Sequence, residues 1–295
     1  MKKILITGAS GFIGRNLKEG LKKTFKIYSP KSSELDLLDS ENVEKYMKKN
    51  NFDIVIHAAT HNATRVSSKS LSEVFKNNLT MFFNLRRLTS YYGRMFYFGS
   101  GAEYDMGNYK PKMGEDYFDT FVPKDDYGFS KYIMAKSLSP TGNVYDLILF
   151  GCFGKYEDYR IRYISNAICH SILGEEITLS QDRKLDYLYV KDLIEIIKIL
   201  INKKKLKYRR YNICTGNSIE LLSLGKKIKE ASNKNTKIVV AKKGLGAEYS
   251  GNNSRLIEEI GNFKFFPVKD SIRELYFWYL KNKNKLNRKE IIKYT

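Results

Sequence analysis

Short apolar runs alternate with longer amphipathic segments through the first half of the chain. Ile4 to Thr7 is followed by Phe12 to Lys23, Lys26 to Tyr28 by Ser40 to Lys49, and Ile54 to His57 by Leu71 to Tyr91. Phe96 to Gly99, Tyr127 to Ser137 and Tyr145 to Phe150 continue the rhythm. The short runs read as strands buried on both faces and the longer segments as helices. Strands separated by single helices require crossover connections, so the pattern predicts an α/β fold, a doubly wound parallel sheet with helices on both faces. Beyond Phe150 the alternation loosens. Helices are expected at Tyr163 to Leu173, Val190 to Asn202, Ser218 to Ala231 and Asp270 to Lys281, strands at Arg210 to Cys214 and Lys237 to Val240, and a strand or turn region up to Tyr189. The basic tail after Lys281 is expected to be solvated and frayed.

Bulk properties narrow the class of protein. With 295 residues and 42% hydrophobic content the chain can bury an ordinary core, including a second, smaller unit. The opening Met1-Lys2-Lys3 and its apolar run end at Gly8, too soon for a signal sequence, and read as a first buried strand. No apolar stretch approaches the roughly 20 residues of a membrane span, so no membrane partner is expected. Cys152, Cys169 and Cys214 lack metal-ligand spacing and sit in apolar surroundings. They read as reduced thiols in the cytoplasm, and no metal is expected. The net charge of +20 is scattered over most exposed segments, not gathered in a stripe with aromatics. It argues against a nucleic-acid partner and suits attraction of anionic nucleotides and sugar diphosphates.

Gly8-Ala9-Ser10-Gly11-Phe12-Ile13-Gly14 lies between the first strand and the first helix. There glycines permit a tight turn, let backbone amides approach a pyrophosphate, and let the helix pack closely on the strand. The helix N-terminus then faces the phosphates. About 20 residues after such a loop, a carboxylate holds the ribose of NAD. Here the chain reads Tyr28-Ser29-Pro30-Lys31-Ser32-Ser33, with no carboxylate before Glu34, so Lys31 is expected to pair with a 2′-phosphate and NADP(H) is expected in preference to NAD. Asp36 and Leu37 are candidates for the adenine edge, and Ala58 and Ala59 leave room for the cofactor beside the third strand.

Tyr127 and Lys131 are spaced by one helical turn, which puts them on one face. An ammonium beside a phenol favours the phenolate and makes a tyrosine a workable acid-base group at neutral pH. Ser100, at the C-terminal end of the apolar strand Met95 to Phe98, is placed to hold a reacting oxygen.

Assembled in this order, the residues resemble the extended short-chain dehydrogenase/reductase superfamily from Lys3 to about Tyr279. The resemblance implies a Rossmann sheet and gives Ser100, Tyr127 and Lys131 as catalytic triad, Gly8, Gly11, Phe12, Ile13 and Gly14 as cofactor loop, and Asn78 as supporting helix asparagine. Residues 1–150 are then the NADP-binding domain, with elements near 185–216 returning to it, and residues 151–184 and 217–295 the substrate-binding domain. The likeness also implies a homodimer pairing through the Leu71 to Tyr91 and Tyr127 to Ser137 helices.

Among the branches, the chain is most similar to GDP-fucose-synthase-like reductases of nucleotide-linked 4-keto-6-deoxy sugars, through Glu34 to Ser40, Phe98-Gly99-Ser100 and Asn212-Ile213-Cys214-Thr215-Gly216. The proton-shuttling cysteine and histidine of that branch are replaced by Ala102 and Arg162, neither of which can act as a base. Ser100-Gly101-Ala102-Glu103 lacks the acidic pair of the dehydratases. Gly151 stands where a substrate-contacting asparagine is usual, and Leu185 near the place of a phosphate-binding arginine, with Arg183 or Lys184 as its substitute. The implied activity is NADPH-dependent reduction of a C4 ketone on a nucleotide-diphospho-sugar, without epimerisation, for surface polysaccharide. A nucleotide-sugar C4 epimerase retaining NAD, a non-catalytic dinucleotide sensor and an RNA-binding protein are the alternatives.

Overall fold

The computed structural model describes residues 1–61, 64, 66 and 70–293. Six parallel strands form the main sheet: β1 (Lys3–Thr7), β2 (Lys26–Tyr28), β3 (Phe52–His57), β4 (Tyr92–Ser100), β5 (Val144–Leu149) and, after an excursion, β9 (Arg210–Ile213). Their order across the sheet is β2-β1-β3-β4-β5-β9. The chain leaves β1 toward β2 on one side and returns to β3 on the other. The connections diverge between β1 and β3, and their C-terminal ends open the crevice where α/β sheets bind ligands.

The period-two alternation of β1 divides its side chains between two cores. Ile4 and Ile6 face α1 (Phe12–Leu21), α6 (Val190–Asn202) and α8 (Ser254–Ile260), packing with Leu17, Leu21, Leu193, Ile197 and Leu256. Leu5 faces the layer of α2 (Ser40–Asn50), α3 (Val74–Arg86) and α4 (Asp126–Lys136), with Val43, Met47, Phe82, Leu85 and Met134. Asp39 caps α2 through the Glu41 and Asn42 amides, a contact worth about 1 kcal/mol. The expected helix Leu71 to Tyr91 is shorter than its pattern. Leu71–Glu73 and Thr89–Tyr91 are single 3-10 turns, the second leading directly into β4 at Tyr92.

A second core gathers α5 (Tyr163–Leu173), α7 (Leu221–Ser232) and α9 (Val268–Lys281) around Ile168, Leu224, Ile228, Ile272, Leu275 and Tyr279. It is bordered by the parallel pair β7 (Ile177–Asp182) and β11 (Ile238–Leu245), and by a small sheet of β6 (Gly151–Phe153), β8 (Lys184–Tyr189) and β10 (Ser218–Glu220). Ile291 of the terminal α10 (Arg288–Lys293) is buried there too, so the tail is docked up to that point and not frayed as expected.

The chain weaves between the two cores. Strand β9 lies in the main sheet and helix α6 packs on the first core, whereas β8 lies in the small sheet. Leu256, Ile260, Phe263 and Phe265, placed by the sequence reading in the second unit, pack on the first core. The Asn212-Ile213-Cys214-Thr215-Gly216 segment ties the units together. The Thr215 amide and hydroxyl and the Gly216 amide donate to the buried Asp186 carboxylate of β8 at 2.9, 2.7 and 2.7 Å. Among the described residues no helix is long and apolar enough to cross a membrane.

Candidate active site

The loop from Gly8 to Gly14 is shaped by two close approaches. Gly8 has φ +67°, and a Cβ on it would lie 2.6 Å from the Ala59 backbone, so the loop packs directly on Ala58 and Ala59 at the end of β3. Gly14 is equally constrained, since a Cβ there would meet the Gly8 carbonyl oxygen at 2.3 Å. Gly11 precedes α1 as its cap residue without a side-chain cap bond. The first-turn amides therefore lack a side-chain acceptor from the cap and suit an anion. Behind the loop, Thr7 Oγ1 and His57 Nδ1 lie 2.9 Å apart and join β1 to β3. Burial pushes the His57 pKa down to about 3, with Lys131 adding to the shift, so the imidazole is neutral. Phe12 and Ile13 are half-buried, Phe12 packing on the second core and Ile13 on the first.

At the next loop, Lys31 is exposed and its amide donates to the Glu34 carboxylate at 2.8 Å. A carboxylate thus folds back toward the end of β2 although none precedes position 34. Asp36 accepts from the Leu38 amide, and the Leu37 side chain is buried in the core while its carbonyl accepts from Asn84. Asn78 is buried and binds the loop after β3, its Oδ1 accepting from the His61 amide at 2.7 Å and from the Thr60 hydroxyl at 3.2 Å. In the structure this asparagine braces a loop.

Ser100 ends β4 and caps the 3-10 turn Gly101–Tyr104, its Oγ accepting from the Ala102 amide at 3.2 Å while Glu103 reaches back to the Ser100 amide at 3.4 Å. Asp125 caps α4 by accepting from the Gly128 amide at 2.8 Å, which sets the first turn carrying Tyr127. Tyr127 is half-buried. Lys131 is buried, donates from Nζ to the Phe98 carbonyl at 2.7 Å, and stands 5.7 Å from the centre of the Tyr127 ring. The β4 backbone therefore holds the ammonium over the Tyr127 ring. Ala102 is buried in the turn after Ser100.

The carboxylate that follows the serine is turned away from the cleft. Glu103 is fully buried and ion-paired to Arg210 of β9, whose Nε is also 3.5 Å from Asp146 of β5. Burial raises the pKa of both carboxyls, and their mutual repulsion raises Glu103 further while Arg210 opposes the shift. No sequence pattern connects residues 103, 146 and 210, so this group is not legible until the strands are paired.

Arg162 is exposed at the cap of α5, and Arg183 is half-buried between β7 and β8. Burial raises the Tyr187 phenol's pKa, and both guanidiniums oppose that rise, so they bear on the same hydroxyl. A Cβ at Gly151 would meet the Asp186 carbonyl oxygen at 2.6 Å and the Tyr187 ring at 2.9 Å. An asparagine therefore has no room at 151, because Tyr187 fills the space.

A family model described as the NAD dependent epimerase/dehydratase family matches residues 4–214. The curated relative GDP-L-fucose synthase of Azorhizobium caulinodans is 44% identical over 59 residues, covering 20% of this chain and 19% of that protein. UDP-glucose 4-epimerase of Mus musculus is 22% identical and covers 96% of this chain and 98% of its own length. The GDP-mannoheptose C4 reductase of Campylobacter jejuni, solved with NADP bound, superposes with a TM-score of 0.80 at 20% identity, covering 94% of this chain and 98% of that one.

Proposed function

Because the chain belongs to the NAD-dependent epimerase/dehydratase family, we propose that it is an NADPH-dependent reductase of the C4 ketone of a nucleotide-diphospho-4-keto-6-deoxy sugar, a hexose or heptose. It acts without epimerisation at C3 or C5, in the synthesis of sugars for surface polysaccharide. The observation that carries this reading is the buried Lys131 ammonium, fixed by the Phe98 carbonyl beside the Tyr127 ring at the end of the strand that presents Ser100. The glycine loop suits a dinucleotide because it packs on β3 and leads into a helix start that has no side-chain cap. Gly8, Gly11, Phe12, Ile13 and Gly14 hold the pyrophosphate, Ala58 and Ala59 border it, Lys31 faces the 2′-phosphate, and Asp36 and Leu37 lie toward the adenine. What the nicotinamide supplies when bound is a hydride to the carbonyl carbon.

The side chains then perform the remaining work. Ser100 holds the carbonyl oxygen, Tyr127 delivers a proton to it as it becomes an alcohol, and Lys131 lowers the cost of the resulting phenolate. Arg162 and Arg183 attract the substrate diphosphate. Ala102 and Arg162 offer no base for epimerisation, and Glu103, locked to Arg210, is withdrawn from water elimination. The free thiols Cys152, Cys169 and Cys214 fit the cytoplasm. Half-buried Phe75, Leu79, Phe129 and Ile133 on α3 and α4 support a homodimer. Mixing the protein with NADPH and nucleotide 4-keto-6-deoxy sugars is expected to consume NADPH; silence across GDP, CDP, UDP and dTDP sugars would overturn the reading. The full-length likeness to UDP-glucose 4-epimerase and the position of Glu34 favour a second reading, a C4 epimerase retaining NAD. Denaturing the purified protein distinguishes the two, since an epimerase releases bound NAD.

A further inference from the structure

Two side chains of an edge strand reach across the main sheet to the turn that carries Ser100. Strand β9 lies at the sheet edge and pairs with β5, Arg210 opposite Asp146 and Asn212 opposite Ile148. Being two residues apart on one strand, Arg210 and Asn212 share a face. Both reach past β5 to the turn Gly101–Tyr104 that follows β4. The Arg210 guanidinium donates to one oxygen of the Glu103 carboxylate, whose other oxygen accepts from the Ser100 amide at 3.4 Å. Asn212 Oδ1 accepts from the Tyr104 hydroxyl at 2.8 Å. Consecutive residues of the turn are thus held by alternate residues of β9.

Each anchor is itself fixed. Asn212 is fully buried; its side-chain nitrogen donates to the Met113 and Asn252 carbonyls at 2.8 and 2.9 Å, and its backbone amide to the Glu115 carboxylate at 2.7 Å. The Arg210 guanidinium carbon lies 3.5 Å from the centre of the Phe118 ring, and its Nε 3.5 Å from Asp146. A buried ion pair is weak grounds for stability, because desolvation cancels much of the attraction. This one ends on the backbone of Ser100. The Ser100 Oγ accepts from the Ala102 amide at 3.2 Å within the same turn, so a shift of the turn moves the hydroxyl with it. That bond takes one lone pair and leaves the hydroxyl proton for a substrate oxygen. Misplacing a group at the reacting centre by about 1 Å can cost roughly 10²-fold in rate.

We propose that Arg210 and Asn212 are positioning residues of the reduction: through Glu103 and Tyr104 they fix the turn after β4 and so aim the Ser100 hydroxyl at the carbonyl oxygen of the sugar. This rests on the reductase reading above. Removing Arg210 would strand two buried carboxylates, so the test cuts each grip at its far end, with Glu103→Gln and Tyr104→Phe, each alone and combined with Ser100→Ala. Glutamine cannot accept at two oxygens, and phenylalanine lacks only the hydroxyl. Each substitution is expected to lower kcat about three- to tenfold, the effect of one hydrogen bond, with KM and NADPH affinity within about twofold of wild type. In Ser100→Ala, which lacks the group being aimed, neither is expected to lower kcat further. Should Glu103→Gln fail to fold, Tyr104→Phe decides. Wild-type kcat in Tyr104→Phe, or a loss that repeats without the serine, would overturn this proposal alone. No turnover by the wild-type protein with any sugar would overturn the reductase reading and this one with it. Hydrogen exchange adds a readout free of substrate: in Tyr104→Phe the Ala102 amide is expected to exchange at least about threefold faster while the β5 amides are unchanged, and unaltered exchange at Ala102 would overturn the grip itself.

Discussion

Alanine in place of Gly11 tests whether the loop after β1 is a phosphate cradle or merely a tight turn. The three glycines differ in what a methyl group would meet. At Gly8 the left-handed φ of +67° costs an L-residue about 1–2 kcal/mol, and overlap with the Ala59 backbone at 2.6 Å adds roughly 1–3 kcal/mol. At Gly14 the clash with the Gly8 carbonyl oxygen at 2.3 Å is of the same order. For a chain of this size each kcal/mol lowers Tm by about 2–4 °C, so Gly8→Ala and Gly14→Ala are expected to lose on the order of 5–15 °C. Gly11 has φ −81°, and its nearest neighbour would be 3.4 Å away, an ordinary contact. Gly11→Ala should therefore fold with Tm close to that of wild type, the roughly 0.4–1 kcal/mol gained from lower unfolded-state entropy being offset by a similar cost of alanine at a helix cap. Yet its methyl would project where the pyrophosphate must approach the amides, so NADPH binding, followed by fluorescence titration, is expected to weaken at least about tenfold. Wild-type affinity in a stably folded Gly11→Ala would refute the cradle.

Other expectations follow from the same geometry. Tyr127→Phe is expected to lower kcat by about 10²–10⁴-fold without changing Tm, whereas Lys131→Met should also destabilise by about 1–3 kcal/mol because the Phe98 carbonyl loses its donor; equal kcat for Tyr127→Phe and wild type would refute the acid role. Glu157, buried and bonded to Ser165, has its pKa pushed up to about 8 by burial. Between pH ~4.5 and ~8 the folded protein thus binds more protons than the unfolded chain, and stability falls as pH rises through that window by up to about 5 kcal/mol. Glu157→Gln should remove that fall, and a difference in Tm from wild type that is independent of pH would show the reasoning wrong. Lys31→Ala is expected to weaken NADPH but not NADH by roughly three- to tenfold, and Glu34→Gln to tilt preference further toward NADPH; parallel changes for both cofactors would place the 2′-phosphate elsewhere.

The parallel sheet was legible because apolar runs and helical segments alternate in a way few folds accommodate, and the ends of Val190–Asn202 and Tyr163–Leu173 could be read from periodicity alone. Local signals also located the glycine loop, Ser100 at a strand end and the Tyr127–Lys131 spacing, since each depends on neighbours within a few residues. The short helix Ser254–Ile260 was not visible, because seven residues carry too little periodicity to stand out, and its place on the first core rests on Leu256 finding a gap there. Tertiary structure alone decided the rest. It alone brought Glu103, Asp146 and Arg210 into one buried cluster, filled the space beside Gly151 with Tyr187, and carried the Tyr249 hydroxyl to Gly101. Such contacts join residues tens to more than a hundred positions apart, and a tyrosine among 22 carries no mark of its neighbours until the backbone places it. Sequence determines which segments must be buried and which turns are possible, because those are local free energies; which side chains meet is settled only when the whole sheet has packed.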